Sequence, residues 1–141
     1  MTMQATDLEA LKNFAADTTR AVLVTHRKDG GLQTSPMAVL ADTNGDILTA
    51  TRARNAKTYN LTRDPRVALC LFEEKWPGPW MHVEGEAHIT RLPEAMPLLQ
   101  AYYTRRGMVN SVDEFRKRME TEDRVLIRIR VTRMFSWGRS G

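Results

Sequence analysis

The sequence predicts an α+β fold in which a six-stranded antiparallel sheet closes into a barrel with peripheral helices. Six segments have strand composition, and strong turn signals join the first three into a meander. Helical patterns fall only at the start, the middle and late in the chain, instead of between every pair of strands.

The elements follow in order. Leu8, Leu11, Phe14 and Ala15 are spaced as one face of a short helix, and Thr6 with Glu9 reads as a capping box at its start. Arg20 to His26 is apolar and β-branched; Lys28-Asp29-Gly30-Gly31 turns it into a second strand, Leu32 to Leu40. Asp42 to Asp46 is another turn, leading into a strand from Ile47 to Thr51. A helix of two to three turns is expected from Arg54 to Arg63, ended by Asp64-Pro65 because proline disfavours helical geometry at the residue before it. Arg66 to Phe72 is a strand, Glu73 to Trp80 a loop rich in turn formers, and Met81 to Thr90 a strand with Gly85 as a candidate bulge. A helix is predicted from Pro93, which a first turn tolerates, to Arg106. A second runs to about Thr121, capped by Ser111 with Glu114. The last strand, Arg124 to Phe135, sets Val125, Ile127, Ile129 and Val131 on one face and Leu126, Arg128 and Arg130 on the other.

The 141 residues fit one domain, 1–141, and neither repeats nor linkers interrupt them. The longest apolar runs, at 21–24 and 37–41, fall far short of the roughly 20 residues of a membrane span. The N-terminus carries no secretory pattern, and the single Cys70 reads as a buried, inert thiol, so a cytoplasmic protein is expected. A net charge of +4 and a pI near 9.6 favour anionic partners without choosing among nucleic acid, acidic lipid and small anions. Arg116-Lys117-Arg118 lies among glutamates, as a mixed solvated helix face does, and no nucleic-acid-binding signature accompanies it.

No glycine-rich phosphate loop is present, and no serine has a nucleophile context. His26, His82 and His88 lack zinc-ligand spacing; His82 and His88 share a strand face but read more simply as solvated or core histidines, and no metal site is expected. If the chain is an enzyme, a bound cofactor carries the reaction. The stretch Thr49-Ala50-Thr51-Arg52-Ala53-Arg54-Asn55-Ala56-Lys57-Thr58 runs from a strand end into a helix start. Free N–H groups there, three cationic side chains (Arg52, Arg54, Lys57) and the hydroxyls of Thr51 and Thr58 suit a phosphate on a small ligand. A solvated basic helix face would have the same charges.

The run from Thr51 to Val67 resembles the AK-x-x-NL-x-x-DPRV signature of the pyridoxamine 5′-phosphate oxidase-like split-barrel superfamily. More narrowly it is similar to its actinobacterial flavin/deazaflavin oxidoreductases that use coenzyme F420. Asp29 to Pro36 is similar to the DGxP hairpin, with Leu32 where proline is more usual; Trp80 to Ala87 resembles the strand ending in v-x-GxA, and Asp123 to Ile129 the final strand. The likeness covers roughly residues 8 to 137.

That resemblance implies a homodimer with two cofactor sites at the subunit interface. Gln33, Thr34, Ser35 and Pro36 would line the flavin-like ring, Thr49, Ala50 and Thr51 would run along the cofactor, and Lys57 with Arg52 or Arg54 would meet its phosphate. Asn55 stands where relatives often carry arginine. Trp76 and Trp80 would come from the other subunit to cover the ring or tail, or else pack at a barrel end. F420, with its acidic tail, fits the extra arginines better than FMN, which needs one cationic phosphate site. The implied reaction moves a hydride from the reduced deazaflavin to an activated double bond of a planar small-molecule substrate, such as an enone, quinone, lactone or tetrapyrrole. Tyr59 and His82 are the candidate proton donors. The rivals are an FMN-dependent oxidoreductase, a non-catalytic cofactor- or haem-binding protein and, less fittingly for so short a chain, a pyridoxal phosphate-forming oxidase.

Overall fold

A computed structural model describes residues 5–17 and 19–137. Its elements are α1 (Ala5–Phe14), β1 (Thr19–His26), β2 (Leu32–Ala41), β3 (Ile47–Arg52), α2 (Ala56–Arg63), β4 (Arg66–Phe72), β5 (Trp80–Thr90), α3 (Met96–Arg105), α4 (Val112–Glu122) and β6 (Arg124–Trp137). The six strands form a closed antiparallel barrel in the order β1-β2-β3-β6-β5-β4, with β4 returning to β1.

Alternation sorts the side chains. Ala21 and Leu23 of β1, Leu69 and Leu71 of β4, Met81 and Val83 of β5 and Val125, Ile127 and Ile129 of β6 fill the barrel. Leu11 of α1 and Ala15 just after it close one end, and Leu61 of α2 enters the same core at the other. A second cluster lies outside the barrel: Leu40, Leu48, Ala50 and Leu126 point outward and are buried by Leu99, Tyr102 and Tyr103 of α3 with Phe115 and Met119 of α4. The turn between β2 and β3 is fixed by Asp42, whose carboxylate accepts from the N–H groups of Asn44 and Asp46, and Arg128 reaches across to both aspartates.

Several sequence expectations are corrected. The second helix begins at Ala56 rather than Arg54. The third begins at Met96; Pro93 lies in the preceding turn, and the proline of the first helical turn is Pro97. Cys70 is exposed, because Leu69 and Leu71 take the inward positions of β4 and turn it outward. Phenyl and indole neighbours partly desolvate it, which holds its thiol above the usual range. The bulge expected at Gly85 exists, but the extra residue is Thr132 on β6: Glu84 pairs with Arg133 and Gly85 with Val131. Past it the alternation reverses, so that Met134 packs on the core and Phe135 is 60% exposed. The Ser111 cap on α4 is present, with its hydroxyl accepting from the Glu114 N–H. The side chain of Thr6 lies outside the described residues. His82 and His88 do share the outer face of β5, but six residues of strand set them roughly 20 Å apart, too far to share a metal. No group of three or more potential metal ligands occurs among the described residues, and no described helix is long and apolar enough to cross a membrane.

Candidate functional site

The barrel has one weak seam. β2 and β3 pair only at Leu40–Leu48 and Ala41–Ile47, then diverge: from Ala38 back to Gln33, β2 pairs with β1 alone, and from Thr49 to Arg52, β3 pairs with β6 alone. Side chains hold the divergence. The carbonyl of Ala38 accepts from the Thr49 hydroxyl at 2.8 Å and from the Tyr102 hydroxyl at 2.8 Å. Burial raises the Tyr102 phenol pKa above its ordinary value, so the group stays a neutral donor. Because the two donors back each other up, Tyr102→Phe is expected to cost only about 1 kcal/mol in urea unfolding. Adding Thr49→Val should cost more than the sum of the single changes, since the carbonyl is then left without a partner. Strict additivity would show that the two hydroxyls do not act on one acceptor.

A cleft of about 380 Å³ opens at the seam. Pro36, Met37 and Ala38 form one wall, Ala50 and Thr51 the other, while Tyr103, Arg106, Met108 and Arg118 come from α3, α4 and the loop between them. Glu122 and Arg124 complete it where α4 meets β6. That junction is pinned by the backbone of Asp123, in the left-handed region at φ 51°, whose carbonyl accepts from the Ala53 N–H at 2.8 Å.

Cations outnumber carboxylates around this cleft. Glu122 is shared between Arg124 at 2.9 Å and Arg52 at 3.5 Å; the hydrogen bond from Arg124 first, and the charges of the nearby arginines after it, hold its carboxyl below the usual glutamate range. Lys57 is half-buried with no ion pair among the described residues; burial first, and the charge of Arg124 second, lower its ammonium below the ordinary lysine value. The Nε of Arg106 is buried without a hydrogen-bond partner. An anion beside Arg124 would supply Lys57 with the counter-charge it lacks among the described residues.

The helix that presents Lys57 starts without a side-chain cap. Asn55 is extended at the N-cap position, yet its amide donates to the Thr51 hydroxyl at 2.7 Å instead of capping α2. The Thr58 hydroxyl turns back to the Arg52 carbonyl at 2.8 Å and is fully buried. Thr49 and Thr58 thus position backbone and Thr51 holds the Asn55 side chain, which leaves the start of α2, with Lys57 in its first turn, without a side-chain cap. Arg54 is exposed in the turn before the helix.

On β2 the predicted residues divide. Gln33 and Ser35 lie on the inward register with Thr25 and Leu23, and Gln33 accepts from the Asn60 amide at 3.3 Å, beside the bond from Asn60 to Thr25 at 3.1 Å. Thr34 and Pro36 face outward, and Pro36 reaches the cleft. Trp76 and Trp80 stand on the β4–β5 side, across the barrel from the seam. There they line an apolar hollow of about 420 Å³ with Cys70 and Phe72; Trp76 is 86% exposed, and Trp80 packs 5.8 Å from Phe135. Tyr59 is 58% exposed on α2. His82 lies on the outer face of β5, bonded to Glu84 at 2.8 Å, which holds that carboxyl below its usual range. Neither candidate proton donor is on the cleft wall.

Sequence reasoning missed Arg106, Arg118, Arg124 and the Tyr102–Tyr103 pair. The only signal was the Arg116-Lys117-Arg118 run, which was expected to be a solvated face; packing of α3 against α4 is what directs Arg118 to the cleft.

The model of a known family, described as pyridoxamine 5′-phosphate oxidase, matches residues 8–138. This chain belongs to that family. No curated protein matches the chain. Among solved structures it is similar to a conserved hypothetical protein from Mycobacterium tuberculosis, at 25% identity and a TM-score of 0.71 over 98% of this chain and 86% of the other. It is also similar to an F420 reductase, at 21% identity and a TM-score of 0.70 over 88% and 94%. A heme binding protein from Mycobacterium smegmatis shares the fold at 17% identity and a TM-score of 0.72, over 99% of this chain and 57% of that one. The pyridoxamine 5′-phosphate oxidase family associates this barrel with oxidoreductases and with flavin or related cofactors.

Proposed function

We propose that this member of the pyridoxamine 5′-phosphate oxidase family is a reductase that uses reduced coenzyme F420 to reduce an activated double bond of a planar organic substrate. The observation that carries the reading is Lys57: a half-buried ammonium beside Arg124, with no ion pair among the described residues, at the uncapped start of α2. That arrangement suits the phosphate of a bound cofactor. The surplus of arginine around the cleft favours the deazaflavin, whose tail is acidic, over FMN, and the likeness to an F420 reductase supports the same choice. When bound, the cofactor supplies the hydride. The chain's part is to fix the phosphate with Lys57 and Arg52 or Arg54, to seat the ring along Pro36, Ala50 and Thr51, and to leave space for a flat substrate. Tyr59 and His82 lie off the cleft of their own chain, so water at the cleft mouth supplies the proton.

The functional unit is a homodimer in this reading. The Trp76–Trp80 loop sits across the barrel from the seam of its own chain, and only a second copy can lay it over the cofactor. The apolar hollow beside it, extended by exposed Phe135, is the surface a partner would cover.

The test is parallel titration of the purified protein with F420 and FMN, following F420 fluorescence polarisation and intrinsic tryptophan emission. Tight F420 binding with much weaker FMN binding is expected. The reverse preference makes the protein flavin-dependent, and binding of neither ends the oxidoreductase reading.

A further inference from the structure

We propose that Arg106 and Arg118 form a second anion subsite at the α3–α4 end of the cleft, one that takes a carboxylate. The ligand's identity rests on the functional reading above; the arginine pair itself does not.

Both guanidinium groups lie against Tyr103, at 5.7 Å for Arg106 and 5.9 Å for Arg118 from the ring centre. Arg106 also lies 5.7 Å from Tyr102, and Arg118 5.9 Å from Phe115. The two like charges sit against one shared ring and line the same cleft, where cation–π contact offsets part of their repulsion but neutralises none of it. Neither arginine has a carboxylate within 4.0 Å among the described residues. The nearest acidic side chain in the cleft wall, Glu122, is already shared by Arg52 and Arg124. Arg106 carries, besides, a buried Nε without a hydrogen-bond partner.

Chemistry narrows the ligand. A planar guanidinium offers paired N–H donors that match the two oxygens of a carboxylate, and stacking on an aromatic ring fixes its plane beforehand. The phosphate already has Lys57 and the uncapped start of α2, on the Arg124 side of the site. A carboxylate at the arginine pair has two available sources: the acidic tail of the cofactor, or an acidic group on the substrate itself.

Isothermal titration calorimetry separates the two. The probes are a γ-linked tetraglutamate peptide for the tail, coumarin-3-carboxylate against neutral coumarin for the substrate, and FMN as a phosphate control. In Arg118→Gln, at an exposed position that leaves folding intact, the affinity for one carboxylate probe is expected to fall about tenfold while FMN is unaffected. Loss confined to the peptide assigns the subsite to the tail, and loss confined to the coumarin acid assigns it to the substrate. Arg106→Lys, which keeps the charge and removes the planar fork, is expected to weaken the same probe. Carboxylate affinity unchanged in Arg118→Gln, no carboxylate binding by the wild-type protein, or FMN falling in parallel would each overturn the subsite. If the wild-type protein binds neither F420 nor FMN, the functional reading fails on its own while the peptide and coumarin titrations still decide the arginine pair.

Discussion

Lys57→Ala is expected to weaken binding of the phosphate-bearing cofactor about ten- to a hundredfold, the range of one charge-assisted hydrogen bond lost from a partly desolvated site. Among the described residues its neighbours compensate only in part. Arg124 and Arg52 are both committed to Glu122, and Arg54 is exposed to solvent. Lys57→Arg should recover part of the loss, since charge is retained. The pH dependence has a defined sign. An anion binds the protonated ammonium, so affinity is full below the Lys57 pKa and falls as pH rises through it. Burial and Arg124 place that pKa below the usual 10.5, so the fall begins at lower pH than an ordinary lysine would give. The bound anion raises the pKa again, and the complex therefore takes up protons in that window. Titrations of wild type and variant across pH in two buffers of different ionisation enthalpy check both statements. Equal affinity in wild type and Lys57→Ala would remove Lys57 from the phosphate site.

Gly85→Ala is expected to be the most damaging single methyl group in the barrel. A Cβ there would lie 2.3 Å from the carbonyl oxygen of Arg130 and 2.9 Å from Cγ2 of Ile129. The first of these is backbone within the β5–β6 ladder, so relief requires the strands to move apart at the bulge. A cost of about 3 kcal/mol, the upper part of the overpacking range, is the expectation. For a chain of this size that lowers Tm by roughly 10 °C. Gly107→Ala is the control: its φ is +70°, yet nothing lies within 4 Å of the added carbon, so only the left-handed backbone cost of about 1 kcal/mol applies. Thermal unfolding of both variants separates steric conflict from backbone strain, and similar losses in the two would mean the bulge can relax.

The strands and their hairpins were legible because local chemistry specifies them. Asp29-Gly30-Gly31 and Asn44-Gly45 supply the positive φ their turns need, at Gly30 and Gly45, and β6 alternates faithfully through Val131. Legibility fails where one residue changes the register. Nothing local marks Thr132 as the bulged residue, so the alternation that holds through Val131 does not carry on to Met134 and Phe135. Pro93 and Pro97 are both plausible starts for α3, and packing against β3 and β6 selects Pro97. In the candidate site, Lys57, Pro36, Ala50 and Thr51 could be found because they lie in or beside recognisable motifs. Arg106 and Arg118 could not, because their direction depends on how α3 and α4 pack together over the outside of the barrel. The seam was equally hidden: a sequence reports which segments are strands, not where two neighbouring strands stop pairing.

The separation of the two hydrophobic clusters bears on how such a chain can diversify. The barrel interior is sealed by α1 and α2, whereas Tyr103, Arg106, Met108 and Arg118 belong to the outer layer. Substitutions in that layer can reshape one wall of the cleft while the interior packing that secures the fold stays intact. Inheritance can therefore revise ligand preference at α3 and α4 through many small steps, each leaving a foldable protein, and hold the strand framework constant.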